Sequence, residues 1–161
     1  MTDLEKLYRR YAPDVYRFSF WLSGDEAEAE DLTAETFVRA WAGPNAIRAE
    51  TAKAYLLAIA RNLHRQRARR AGRTVELDPE MADRAPRPDE TAEGRHELDR
   101  VRRRLLALPE IDRAALLLRV EHELPYDEIA RVLEISAVAA KVKVHRARIK
   151  IGKDNRNGGL E

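Results

Sequence analysis

The last third of the chain carries two helical patterns separated by a turn, and the second pattern is strongly basic. Residues 126–133 place apolar side chains at the three- and four-residue spacing of a short helix with one buried face. Ser136 supplies an N-cap for a second helix over 137–150, where Ala140 and Val144 share one face. The pattern predicts a helix-turn-helix, which brings the second helix within reach of DNA.

The charge of this second helix supports the same prediction. From 141 to 156 the chain carries seven cations against one acid, Asp154. Such a density indicates phosphate binding, although a solvated basic helix end that complements the helix dipole is the simpler alternative. The cations are Lys141, Lys143, Arg146, Arg148, Lys150, Lys153 and Arg156.

Composition predicts an all-α protein. Of 161 residues, 44% are hydrophobic and 36% are charged, glycine is scarce, and Ala, Leu, Arg and Glu dominate. There is no cysteine, which excludes a disulfide framework and thiolate metal ligands. No apolar run approaches the length of a signal-peptide core or a membrane span, so we expect a cytoplasmic protein without membrane insertion.

The overall net charge of +2 hides an alternation in sign along the chain. Residues 1–45 carry a net charge of −4 and residues 46–73 carry +7. Residues 74–99 return to −6, and residues 100–161 carry +5. Two basic blocks separated by acidic ones suggest two nucleic-acid contacts and a basic protein partner.

Two small helical domains joined by a flexible acidic linker account for this order. In the first, apolar periodicity predicts a helix from about Leu4, another begun by Pro13, a third over 26–41 capped by Asp25, and a fourth from about Ala52 to Arg70. The third is expected to face the core with Leu32, Phe37, Ala40 and Trp41. The predicted divisions are a domain at 1–71, a linker at 72–95, a domain at 96–152 and a disordered tail at 153–161.

Catalytic chemistry is not predicted. The four histidines, at 64, 96, 122 and 145, are scattered without metal-ligand spacing, and we expect each at the surface or in a groove. No glycine-rich phosphate loop is present. The sequence therefore predicts a binding function without catalytic residues, metal or cofactor.

Several runs resemble one family in order along nearly the whole chain. Residues 7–17, 24–41 and 59–63 resemble the region-2 domain of bacterial RNA polymerase sigma factors of the extracytoplasmic-function (ECF) class. Residues 106–110 (Leu-Ala-Leu-Pro-Glu), 116–119, 126–130 and 141–148 resemble the region-4 domain of that class. The resemblance implies a region-2 helical bundle and a region-4 helix-turn-helix.

The resemblance also implies an interface with the polymerase. The acidic third helix docks on a coiled coil of the β′ subunit in this family, with Leu32 and Trp41 expected to be mainly buried. The residues implied at the contact are Asp31, Glu35, Phe37 and Arg39.

The basic helix of the first domain matches the family's reader of the minus-ten promoter element. Cations with aromatic or amide groups suit melted single-stranded DNA. The implied residues are Arg48, Lys53, Arg61, Asn62, Arg65 and Arg69. Tyr55 stands where relatives usually carry Trp and is expected to be a core substitution, and Gln66 replaces a frequent Asp.

The second domain matches the reader of the minus-thirty-five element, with departures. The implied residues are Ser136, Lys141, Lys143, His145, Arg146 and Arg148. Glu134 stands where a glycine is usual, which costs about 1 kcal/mol if the backbone is left-handed. Val138, Ala139, Ala140 and Val142 replace the customary Gly-Thr-Val and Ser, so a divergent promoter preference or a weaker contact is expected.

These observations predict a promoter-specificity subunit. It would bind core RNA polymerase through β′ and β, direct it to minus-ten and minus-thirty-five elements, and have an anti-sigma factor as a further partner. Two alternatives remain: a stand-alone helix-turn-helix regulator that binds duplex DNA, and a divergent sigma-like protein whose second domain mainly binds a protein. The acidic linker is either a nucleic-acid mimic in a basic channel of the polymerase or a plain tether.

Overall fold

The computed structural model describes residues 2–43, 51–72 and 92–157, and it is helical throughout these ranges except for short turns. The predicted linker residues 73–91 and the loop residues 44–50, including Arg48, lie outside the described residues. The helices are α1 (Asp3–Ser23), α2 (Glu26–Ala42), α3 (Ala52–Arg70), α4 (Ala92–Leu106), α5 (Glu110–Val120), α6 (Tyr126–Leu133) and α7 (Ala137–Asn157).

Helix α1 is one continuous helix, so the predicted division at Pro13 is wrong. Its N-cap Thr2 accepts a hydrogen bond from the backbone N–H of Glu5 at 3.1 Å, and it ends at Gly24 in a left-handed conformation. A proline inside a helix costs about 3 kcal/mol. Burial of large side chains such as Phe18 and Leu22, each contributing about 1.5–3 kcal/mol, offsets that cost.

Helices α1, α2 and α3 pack on one another around a shared core. Asp25 caps α2 by accepting a hydrogen bond from Ala27 N–H at 2.9 Å, as its sequence predicts. Leu32 and Phe37 are fully buried. Trp41 is 48% exposed, so its predicted core position is wrong; in the same turn of α2 the neighbouring Ala40 is 4% exposed, so Ala40 faces the core and Trp41 faces solvent.

Helices α4 to α7 form the second cluster. The guanidinium of Arg113 on α5 is buried and donates to the carbonyls of Leu105, Leu106 and Leu108 at 3.4, 3.4 and 3.1 Å, which supplies donors to the carbonyls at the end of α4 and in the turn after it. Burial lowers the pKa of Arg113 to about 10, against the opposing effect of Glu110. α4 begins at Ala92, inside the predicted linker, and α7 continues to Asn157, past the predicted start of the tail.

The two clusters pack directly against each other. Helix α1 contacts α4 and α5, and helix α3 contacts α6. The fit is close at Gly24, where a Cβ atom would lie 2.6 Å from a methyl carbon of Leu106. Within the described residues the protein is therefore one packed body, and none of its helices is long and apolar enough to cross a membrane.

Candidate nucleic-acid interface

Helix α7 presents one face to the core and the opposite face to solvent. Ala140, Val144 and Ala147 are at most 1% exposed and pack on α5 and α6. The predicted minus-thirty-five residues lie elsewhere around the helix. Ser136, Lys141, His145, Arg146 and Arg148 are exposed, and Lys143 is half-buried.

A buried acid beneath α7 orients two of these cations. Asp112, in the first turn of α5, has an 8% exposed side chain. Its two carboxylate oxygens accept hydrogen bonds from Arg146 at 3.2 and 3.3 Å, and Lys143 Nζ lies 3.9 Å away. Arg146 remains 58% exposed, so the contact holds one terminal nitrogen, Nη2, and leaves much of the side chain accessible to solvent. The sequence does not predict this role of Asp112, because an acid in the first turn of a helix indicates only a favourable interaction with the helix dipole.

An aromatic ring supports a third cation. The ring of Tyr126, at the start of α6, has the guanidinium carbon of Arg119 at 4.4 Å and Lys141 Nζ at 5.6 Å from its centroid. Such contacts contribute about 0.5–1 kcal/mol each at exposed sites. Tyr126 therefore limits where Lys141 can point.

The turn of the motif has the predicted geometry. Ser136 Oγ accepts a hydrogen bond from Ala139 N–H at 3.0 Å, which makes it the N-cap of α7. Glu134 has φ 58° and ψ 46°, so the left-handed conformation anticipated for this position is present with a non-glycine residue.

The predicted minus-ten residues of α3 are divided between two environments. Asn62, Arg65 and Arg69 are exposed. Arg61 is buried at 3% exposure and makes a paired contact with Glu110, with Nε to Oε1 at 2.8 Å and Nη2 to Oε2 at 2.9 Å. Arg61 is thus unavailable to DNA in this arrangement, because α5 covers it.

Two further residues of α3 differ from their predicted surroundings. Lys53 Nζ donates to the backbone carbonyl of His122 at 3.1 Å, so it also serves the contact between the clusters. Tyr55 is 40% exposed, so its expected role as a core substitution is wrong; its hydroxyl lies near Gly43, just past the end of α2.

The acidic face of α2 is built with help from α3. Asp31 and Arg39 are exposed, and Glu35 is half-buried. Arg67 on α3 lies 2.9 Å from Glu35 and 3.7 Å from Asp31, which fixes the two carboxylates side by side. Phe37 is 1% exposed and packs edge-on against Tyr8, so it supports this face from inside and is not a contact residue.

Two of the four histidines are buried, contrary to expectation. His64 lies 3.3 Å from Glu28, and His122 is 3% exposed beneath the edge-on ring of Phe18. Among the residues that the structure describes, neither ring nitrogen of His122 has a hydrogen-bond partner. Burial, aided by the charge of Lys53, lowers the pKa of His122 to about 4, so the ring is neutral at pH 7.

The fold and site define a class of protein: a two-cluster helical protein with a basic helix-turn-helix. A family model described as Sigma-70 region 2 matches residues 7–74, and one described as Sigma-70, region 4 matches residues 98–151. The chain belongs to the sigma-70 family of RNA polymerase sigma factors, in the ECF class.

Individual relatives agree with this assignment. The chain is 35% identical to the ECF sigma factor SigE of Mycolicibacterium smegmatis over 92% of its own length, but it spans only 60% of the length of SigE. It is 32% identical to EcfG of Rhodopseudomonas palustris, covering 86% of this chain and 77% of EcfG. It is 29% identical to SigM of Bacillus subtilis, covering 90% of each.

A solved structure shares the fold. The sigma factor RpoE of Bartonella quintana, determined in complex with the anti-sigma factor NepR, superimposes with a TM-score of 0.74 over 95% of this chain and 96% of that one. The sequence identity is 22%, so the likeness concerns the fold.

Proposed function

We propose that this protein is a promoter-specificity subunit that binds core RNA polymerase and directs transcription initiation at minus-ten and minus-thirty-five elements. The observation that carries the proposal is the solvent-facing cationic surface of α7, set by Asp112 and Tyr126, in a chain with sigma regions 2 and 4 in order. The role is non-catalytic and is exercised in the cytoplasm, where the polymerase acts.

The polymerase contact is assigned to the acidic face of α2. Asp31, Glu35 and Arg39 form its charged part, and the exposed Trp41 and Val38 add an apolar part. A negative surface with an aromatic side chain suits a basic helical partner such as the β′ coiled coil.

The DNA contacts are assigned to two helices. Three exposed residues of α7, Lys141, His145 and Arg146, enter the major groove of the minus-thirty-five element, with Ser136, Lys143 and Arg148 near phosphates. The minus-ten contact uses Asn62, Arg65 and Arg69 of α3 directly. Arg61 and Lys53 join it only after the two clusters separate, because Glu110 and the carbonyl of His122 hold them.

A protein inhibitor is a further proposed partner. The related fold of RpoE was solved with the anti-sigma factor NepR bound. An anti-sigma factor for this chain would act by preventing the release of α3 from α5 and α6.

The test measures binding of the full chain to core RNA polymerase in competition with a housekeeping sigma factor. Asp31→Arg with Glu35→Arg is expected to abolish competition, because it reverses the acidic face and repels Arg67. The matched control is Glu5→Arg with Glu97→Arg, which makes the same charge change at exposed positions on α1 and α4 and is expected to leave binding intact.

A second variant separates the DNA role from the polymerase role. Lys141→Ala with Arg146→Ala is expected to keep polymerase binding and to lose promoter-directed transcription. DNA binding by the free chain together with no polymerase binding would overturn the proposal in favour of a stand-alone regulator.

A further inference from the structure

An apolar stripe runs along the solvent-facing side of α7. Val138 is 71% exposed, Val142 is 49% exposed and Ile149 is 46% exposed. Their spacings of four and seven residues place them on one side of a helix with 3.6 residues per turn, and His145 lies between them. This side is opposite to the buried Ala140, Val144 and Ala147.

Cations border the apolar stripe on both sides. At 100° per residue, Lys141 and Arg148 lie about 80–100° to one side of it, and Arg146 and Lys150 lie about 60–100° to the other. Residues 137–152 contain no acid. The outward surface is therefore an apolar centre between two positive margins.

This arrangement matches the cross-section of a DNA major groove. The groove is about 12 Å wide, it accepts a helix about 10–12 Å in diameter, and each of its walls carries phosphates. Positive margins suit the two walls, and the centre of the helix then faces the base edges. The apolar group that base edges present in this groove is the C5-methyl group of thymine.

We propose that Val138 and Val142 determine promoter specificity by contacting thymine methyl groups in the minus-thirty-five element. The first turns of a recognition helix approach the bases most closely, which selects these two valines over Ile149 in the fourth turn. This inference rests on the proposed promoter-binding role of α7. It explains why valine side chains, which make no hydrogen bonds, occupy the outward centre of a basic helix.

The experiment uses the full chain bound to core RNA polymerase and a pool of random-sequence DNA duplexes. Sequences enriched by binding identify the preferred minus-thirty-five element. Each of its thymines is then replaced by deoxyuridine, which removes the methyl group and keeps every hydrogen-bonding group. Binding is expected to weaken about fourfold for each contacted methyl, equivalent to about 0.8 kcal/mol.

Variants link that loss to the two valines. Val138→Ala with Val142→Ala is expected to bind thymine and deoxyuridine duplexes equally, and the helix is retained because alanine is the best helix former and both positions are exposed. The matched control is Ile149→Ala, which removes an exposed apolar side chain from the same stripe. It is expected to keep the fourfold difference.

Three other outcomes would overturn the inference, and they are distinguishable. Enriched sequences that bind equally with thymine or deoxyuridine would remove methyl readout while preserving the promoter role. Failure to enrich any sequence, despite polymerase binding, would reject the DNA role of α7 as well. A thymine preference that persists unchanged in the valine variants would show that other side chains contact the methyl groups.

Discussion

Helices α3 and α7 carry similar rows of cations, but the molecule uses them differently. On α3, Arg61 is buried against Glu110, and Arg67 joins the acidic face of α2. On α7, Lys141, Arg148 and His145 reach solvent. A basic run in a sequence therefore does not establish that its charges are free to bind phosphate, because an acid from a distant part of the chain can pair with them and bury them.

The distant acids lie close together on one helix. Glu110 and Asp112 both belong to the first turn of α5, where negative charge also favours the helix dipole. Glu110 contacts α3 at a residue 49 positions earlier in the chain, and Asp112 contacts α7 at a residue 34 positions later. Asp112 orients an exposed guanidinium, whereas Glu110 contributes to closing the two clusters on each other.

The largest effect is expected at the buried Arg61–Glu110 pair, which makes the cation of α3 unavailable. Glu110→Ala leaves Arg61 buried without its partner, and we expect the free energy of unfolding to fall by about 3–5 kcal/mol. Denaturant titration measures this. Removing both charges with Arg61→Leu and Glu110→Leu is expected to recover most of the loss, because the desolvation cost disappears with them. A small loss for the single change would show that the pair is not shielded from water.

Acid should lower the free energy of unfolding through protonation of the buried His122. Its pKa of about 4 in the folded protein lies below the ordinary value of 6.5, so the unfolded chain binds the extra proton first as pH falls. The contribution is present above pH 6.5 and decreases between 6.5 and 4, by about 3 kcal/mol in total. The free energy of unfolding, measured across this pH range, should show the decrease.

The control for the pH experiment is His122→Phe, which keeps an aromatic ring against Phe18 and cannot titrate. The other ionisable groups that influence His122, namely Lys53, Asp14 and Arg17, remain in this variant. Its stability should lack the decline between pH 6.5 and 4 that His122 causes. An identical decline in both proteins would assign the effect to other groups.

The cations of α7 are available to phosphate, whereas part of those of α3 are not, and this difference should appear in the salt dependence of promoter binding. Arg148→Ala removes an exposed cation of α7 that is assigned to phosphate contact, so the slope of log affinity against log salt should decrease by about 0.9. The exposed Lys6 of α1, changed to Ala, is a matched control outside both DNA surfaces. An equal change in slope for both variants would indicate only a long-range charge effect.

Local signals in the sequence predicted much of the fold. The sequence predicts Asp25 and Ser136 as helix caps, and the periodicity of α2 and α3 predicts their extents to within a residue or two. The left-handed turn at Glu134 was anticipated from the glycine expected there. Each of these features depends on residues close in sequence, where the chain itself supplies the constraint.

The errors concern side chains whose surroundings are set by distant elements. Arg61 and His122 are buried because α5 and the following turn pack against α1 and α3, and no local pattern encodes that packing. Trp41 is exposed although it follows the buried Ala40, because it lies on the outward side of the last turn of α2. The continuity of α1 through Pro13 follows from core packing on both sides of the proline.

The smallest effect is expected in the turn before α7, and it should be independent of the contact between the two clusters. Glu134 has a positive φ, and Glu134→Gly should raise the free energy of unfolding by about 1 kcal/mol because glycine adopts this conformation without a Cβ clash. Glu134→Ala keeps the Cβ atom and should give no such gain. The exposed Glu134 makes no contribution to the Arg61–Glu110 pair. The glycine variant should therefore keep the decline in stability that His122 causes between pH 6.5 and 4. Loss of that decline would mean that the turn and the contact between the clusters are coupled.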